Sequence, residues 1–338
     1  MKSGALALGL SVAVCAASMT ASATVIEEVV VNDAAVLGGM PRALSDYGFF
    51  ADLQQQSGTY RVTDYQLNTP LYSDGADKLR FIYLPSNTEL TADGEGLLQF
   101  PVGAAIIKTF AFGEGADRQL IETRVLLNRV EGWTALPYRW NEDQSDATLA
   151  LAGARIPMTR PDGERISYRI PNKNQCKTCH SKDGEVIPIG PKARNLAPEW
   201  LGQMAQANLL INAPSITARL PMWAARDEVS LDTAARAYLD VNCAHCHQPG
   251  GSASNSGLDL RWEQDDPHAI GIRKPPVAAG RGSGGYAVSI APGNPDASII
   301  VHRMSSTEPG VAMPELGKNT VDPAGVDIVR RWIAGMDQ

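Results

Sequence analysis

The sequence predicts an α+β chain of several domains: an N-terminal β-rich part, a sandwich or roll, followed by a mainly α-helical part. Three observations predict it. Short apolar runs separated by Gly/Asp-rich turns fill the first half. Apolar residues recur at helical spacing in the last third. The pentapeptide Cys-x-x-Cys-His occurs twice, as Cys176-Lys177-Thr178-Cys179-His180 and as Cys243-Ala244-His245-Cys246-His247, once in each segment that follows the strands. The expected boundaries are a leader at 1–23, a β-rich domain at 24–165, a first motif segment at 166–225 and a second domain at 226–338.

The leader comes first. Met1-Lys2 carries one positive charge, Ala5 to Ala17 is mostly apolar, and Ala21-Ser22-Ala23 is an A-x-A cleavage site. That combination reads as a secretory signal peptide cleaved after Ala23, hence export to the periplasm. The apolar run is too short to span a bilayer. Cys15 does not suit lipidation, because bulky Val14 precedes it. No later segment predicts a membrane span.

Strands are expected at Leu97–Phe100, Ala104–Phe110 and Thr123–Leu127, with a turn at Gly113–Asp117. The aromatics Trp133, Tyr138 and Trp140 read as strand-end packing residues, and Asn141 to Asp146 as a solvated acidic turn. After His180, Pro188 and Pro191 forbid a long helix. Glu199 to Leu210 has helical spacing, and Pro214 and Pro221 mark an irregular connection. Ser230 is placed to cap a helix running into Cys243. Val326, Ile328, Val329, Trp332 and Ile333 predict a closing amphipathic helix. Between them, Pro249 to Gly293 is too rich in Gly, Pro and Ser for long helices.

Composition narrows the function. The chain has 338 residues, 30 Lys+Arg and 37 Asp+Glu, a net charge of −7. With Lys2 removed the balance is 29 against 37, or −8. Such acidity argues against a nucleic-acid partner and suits a protein partner with a basic docking face. Of five cysteines, Cys15 leaves with the leader and the other four all belong to the two pentapeptides, so none remains for a disulfide.

In an exported protein this pentapeptide reads as covalent c-type haem attachment. Two thiols must reach two vinyl groups on one porphyrin edge, and an imidazole must reach the iron. Residues three and four apart on a helical turn share a face, which the spacing provides. Cys176, Cys179, Cys243 and Cys246 are therefore expected to bind two haems covalently, with His180 and His247 as proximal iron ligands. A zinc site or a thioredoxin-type pair explains the repeat less well, since neither needs a His directly after the second Cys.

The sixth ligand decides the chemistry. A Met gives an electron-transfer centre of raised potential, whereas an open position admits small molecules. For the second haem the expected ligand is Met313, on a loop before the final helix, with His302 and Met304 as rivals. For the first, Met222 is the leading candidate, with Met158, Met204, His268 and His302 as alternatives and a five-coordinate iron also open. His245 is expected to face solvent or a haem propionate. Arg273, Lys274 and Arg281 suit propionate pairing, a partner's acidic edge or a solvated loop.

From about residue 228 the chain resembles bacterial class I cytochrome c domains, on Tyr238, the second pentapeptide, Pro292-Gly293-Asn294-Pro295, Ser298, Met313-Pro314 and Trp332-Ile333. The resemblance implies a fold of three to five helices and a His/Met haem. Leu44 to Phe50, Leu67 to Leu71, Trp140 to Gln144, Asn174-Gln175-Cys176 and Gly190 to Leu196 resemble a family of exported bacterial di-haem c-type cytochromes of poorly defined role. That likeness spans nearly the whole chain and implies electron transfer between redox partner proteins. The expected function is thus a relay or an electron-accepting subunit. The alternative is a peroxidase-like di-haem oxidoreductase with a reactive first haem.

Overall fold

The computed structural model describes residue 1, residues 29–215 and residues 219–337. The leader, its cleavage site and Cys15 lie outside the described residues. Mixed helix and strand are arranged around one six-stranded antiparallel sheet. Its strands are β1 (Val62–Asp64), β2 (Asp77–Tyr83), β3 (Ala105–Phe112), β4 (Gln119–Arg129), β5 (Gly132–Trp140) and β6 (Ala147–Leu149). Each pairs with the next, so the sheet is a simple meander. Of the aromatics expected at strand ends, Trp133 and Trp140 sit at the two ends of β5 and Tyr138 lies within it. Leu97–Phe100 contributes only isolated bridges, to Lys192 and Thr91. Four further ribbons have two strands each. One of them, β7 (Ala154–Thr159) with β8 (Arg165–Ile170), leads directly into the first motif.

The two faces of the sheet differ, because alternate residues point opposite ways. One face is apolar: Phe81, Tyr83, Ile107, Val125, Leu136 and Tyr138 pack under a lid formed by α1 (Asp33–Gly38) and the segment through Tyr47 and Phe49. The Tyr138 hydroxyl is satisfied by donating to the Pro41 carbonyl at 2.9 Å. The other face carries Arg80, Lys108 and Arg124 among the buried apolar residues Ile82, Ile106, Phe110 and Leu126, and it looks onto the segments that carry the motifs.

The helices that follow are α2 (Lys173–Cys179), α3 (Pro198–Gln206), α4 (Leu231–Asn242), α5 (Pro267–Ile270), α6 (Ile299–Met304) and α7 (Pro323–Ala334). Ser230 caps α4 by accepting from the Thr233 amide, as its position suggested. α4 and α7 cross closely, with Tyr238, Leu239, Ile328, Val329 and Trp332 in one core. Gly325 permits the crossing: a Cβ there would lie 2.2 Å from the Tyr238 ring. The Tyr238 hydroxyl donates to Asp322, the N-cap of α7, at 3.0 Å.

The boundary expected at 165/166 does not separate two cores. Tyr65, Ile82, Leu90 and Leu98 pack with Leu196, Trp200, Leu201 and Met204 in one cluster. Leu90 and Thr91 also pair in parallel with Leu210 and Ile211. Further contacts bind these parts to the last third. Asp240 on α4 has 1 % exposure and holds Lys192 through both carboxylate oxygens, each at 2.8 Å.

Candidate functional site

The first pentapeptide is shaped by a capping box. The Asn172 side chain accepts from the Gln175 amide at 2.8 Å, and the Gln175 side chain accepts from the Asn172 amide at 3.0 Å. This starts α2 so that Cys176 and Cys179 lie a turn apart and His180 falls on the C-cap. The second pentapeptide follows α4 without a break. Cys243 is its C-cap, and the amides of Cys246 and His247 both donate to the Cys243 carbonyl, at 3.1 and 3.0 Å.

Both histidines are oriented the same way. His180 Nδ1 lies 2.9 Å from the Ile187 carbonyl, and His247 Nδ1 lies 2.9 Å from Ser256 Oγ. A carbonyl only accepts, so His180 carries its proton on Nδ1 and leaves the Nε2 lone pair free. Ser256 spends its own proton on the Ala253 carbonyl at 2.7 Å, so it too accepts from Nδ1. A metal-bound imidazole is held in this tautomer by such an acceptor. Burial pushes His180 down to about 3 and His247 down to about 4, so both rings are neutral near pH 7. Burial also raises the Cys176 thiol and pushes Cys243 up to about 12.

Two cavities adjoin the pentapeptides, and Cys179 lines both. Cys176, Cys179 and His180 line one of about 150 Å³, beneath the cationic face of the sheet. Cys243, Cys246 and His247 line another of about 390 Å³. The second volume falls within the range of roughly 300–1,000 Å³ usual for ligand sites, and the first is tighter. The donors at each place, two thiols and an imidazole protonated on Nδ1, are of the type that would hold an iron porphyrin.

The motifs meet. Atoms of Cys179, His245 and Cys246 that can bind metal all lie within 4.8 Å of one another. The two thiols interact, which raises Cys179 and lowers Cys246, and Cys246 Sγ donates to the Thr178 carbonyl at 3.9 Å. Lys182 bridges Gly251, and the Asp183 amide donates to the Gly250 carbonyl at 2.9 Å. Gly250 has φ +76°, and a Cβ there would meet the Asp183 carboxylate at 2.1 Å.

The candidate sixth ligands fall into different places. Met313 lines the second cavity together with Met304, whereas His302 meets the Tyr286 ring edge-to-face outside it. Met222 is 55 % exposed and lines neither cavity. Met158 and Met204 pack in other clusters, and His268 sits in α5 beside Lys274. No methionine lines the first cavity among the described residues. His245 is buried rather than solvent-facing and lines both cavities, because the two motifs close over it. Arg273, Lys274 and Arg281 line neither cavity; Arg281 pairs with Glu308 at 3.1 Å. The cations that do line the second cavity are Arg303 and Lys318. Sequence reasoning missed these, the acceptors Ile187 and Ser256, and the basic row on the sheet. A Ser nine residues after a motif His was the one local signal available.

No helix among the described residues is long and apolar enough to cross a membrane. No established family model, curated protein or solved structure matches this chain.

Proposed function

We propose that this chain is an exported, periplasmic di-haem c-type cytochrome that carries electrons between redox partner proteins, as a relay or as an electron-accepting subunit. The observation that carries the reading is the matched orientation of His180 and His247. Each has Nδ1 tied to an acceptor and Nε2 left free, beside two cysteines that line the same cavity. Haem bound there would supply one-electron redox chemistry at iron. Cys176, Cys179, Cys243 and Cys246 would anchor the two groups, and Met313, which lines the second cavity, would be the second iron's other protein ligand. Cys179 and Cys246 would bring the two attachment edges together, which favours passage of electrons within the chain.

A second reading, a di-haem oxidoreductase with a reactive first iron, draws on one observation: no methionine lines the first cavity among the described residues. Intact mass and EPR of the exported holoprotein test both. The proposal expects the mass of two haems beyond the polypeptide, with at least one His/Met low-spin iron. A bare polypeptide mass, or a gain of zinc alone, overturns it. A high-spin first iron that turns over peroxide selects the second reading.

A further inference from the structure

The inner face of the sheet carries a charge pattern that folding alone does not explain. In register across three adjacent strands, Arg80 on β2 faces Lys108 on β3, and Lys108 faces Arg124 on β4. Like charges directly opposite one another destabilise a sheet. One row along, Lys78 lies opposite Phe110 and Phe110 opposite Glu122. All four cations line the cavity that also holds Cys176, Cys179 and His180.

Little here balances the charge. The cavity is lined by six basic side chains and a single carboxylate, in a chain whose net charge is −7. The carboxylate is Asp240, already held by Lys192. Arg124 alone of the sheet cations has a carboxylate of its own, Glu122, which also accepts from the Tyr168 hydroxyl at 2.8 Å. Lys78, Arg80 and Lys108 form no ion pair among the described residues. Arg80, 6 % exposed, donates to the Lys78 carbonyl at 3.0 Å, and Lys78 donates to the Ala76 carbonyl at 3.1 Å. The Phe110 ring stands in for an anion, with Lys78, Lys108 and Arg124 at 5.9, 5.3 and 4.2 Å from its centroid. The Arg124 Nε is buried without an acceptor. Burial and mutual repulsion push Lys108 down to about 7 and Lys78 well below its usual range. Bringing cations together in a dry site costs free energy unless something anionic joins them.

We propose that Lys78, Arg80, Lys108 and Arg124 form an oxyanion-binding site on the sheet, facing the first Cys-x-x-Cys-His motif. Guanidinium and ammonium donors converge there on one small space, which suits a compact group with several acceptor oxygens. Two sources share that chemistry: a free inorganic oxyanion brought next to the first iron, or the carboxylates of a porphyrin carried by Cys176 and Cys179. The second source rests on the haem reading and the first does not.

Sulfate is the probe. Calorimetric titration of the full exported protein with sodium sulfate, against sodium chloride at matched ionic strength, is run alongside redox titration of the haems. Wild type, Arg80→Gln and Lys108→Gln are compared. A free-oxyanion site gives saturable sulfate binding that weakens at least tenfold in each variant. Porphyrin carboxylates give no sulfate binding, but each variant lowers the potential of one haem and spares the other, because a lost cation no longer favours the reduced iron. If neither sulfate binding nor either potential changes in a folded variant, the site is refuted. Should Arg80→Gln misfold, Lys108→Gln alone decides. Should the protein carry no haem, the sulfate titration still decides, and absence of binding refutes the site.

Discussion

The sulfurs of Cys179 and Cys246 lie within 4.8 Å of each other, although one closes α2 and the other follows α4. The second thiol of each motif is thus part of a shared border, with His245 the third member. A zinc ion would use this border and leave Cys176, Cys243 and both tautomer-locked histidines idle. Covalent haem would use all four thiols.

The two assignments separate in single variants. Cys243→Ala, away from the border, is expected to weaken attachment at the second site and leave the spectrum of the first unchanged. Cys246→Ala is expected to perturb both spectra, because its sulfur touches Cys179 and the Thr178 carbonyl. Optical spectra and intact masses of the two variants check this. Equal and independent effects would mean the border is not maintained in the holoprotein.

Met313 and Met304 both line the second cavity, yet they differ in setting. Met304 is 5 % exposed and packs with Val301, Ile328 and Val329, whereas Met313 is half-buried on a loop. Met304→Ala is expected to cost about 2–5 kcal/mol of stability, as for other core methionines, and to leave the potential in place. Met313→Ala is expected to lower the potential of one haem, because a thioether favours the ferrous iron, with little loss of stability. Redox titration and denaturant unfolding of the two holoproteins check the pair. The opposite assignment of effects would make Met304 the ligand.

Much of the helical part was legible because its signals are local. Ser230, the apolar spacing through Ile333 and the proline-rich loops each act within a few residues of themselves. The pentapeptides were legible for the same reason. The basic row was not. Arg80, Lys108 and Arg124 are far apart in sequence, and each sits in a strand among apolar neighbours. Only strand register places them side by side. The burial of His245 was not legible for a related reason: Cys179 of the other motif lies beside it, which no local pattern announces. The cluster around Leu90, Leu98 and Trp200 was not legible either, because it is assembled from both sides of the expected 165/166 boundary.

Lys108 gives the molecule a measurable pH signature. Burial, then Arg124 and Arg80, hold its folded pKa at about 7 against an ordinary 10.5. Between those values the unfolded chain binds more protons than the folded one, so stability rises as pH rises from 7 toward 10.5. Lys108→Met should therefore be more stable than wild type at pH 7 by at least on the order of 1 kcal/mol, the gap closing toward pH 10.5. Denaturant unfolding in chloride buffers free of polyatomic anions checks this. A constant gap across the range would show that Lys108 stays charged in the fold.

The loop that carries Met313 is anchored from the other end of the chain. Asp74 is 2 % exposed and accepts from the Asn319 amide at 2.6 Å, the Thr320 amide at 2.9 Å, the Thr320 hydroxyl at 3.0 Å and Asn319 Nδ2 at 3.1 Å. Between Met313 and this anchor, Pro314, Leu316 and Lys318 line both cavities. Asp74→Ala leaves these donors without their acceptor, which costs about 1–3 kcal/mol for a buried group. The loop should then open more often and uncover the second cavity, which Met313 lines, and with it any haem held there as proposed. Carbon monoxide binding to that reduced haem is expected to speed up severalfold, while Asn319→Ala, which removes only the Nδ2 bond, should have a smaller effect. Stopped-flow spectroscopy of the two variants measures it. Unchanged binding in Asp74→Ala, despite lowered stability, would show that the anchor secures the fold without holding Met313 in place.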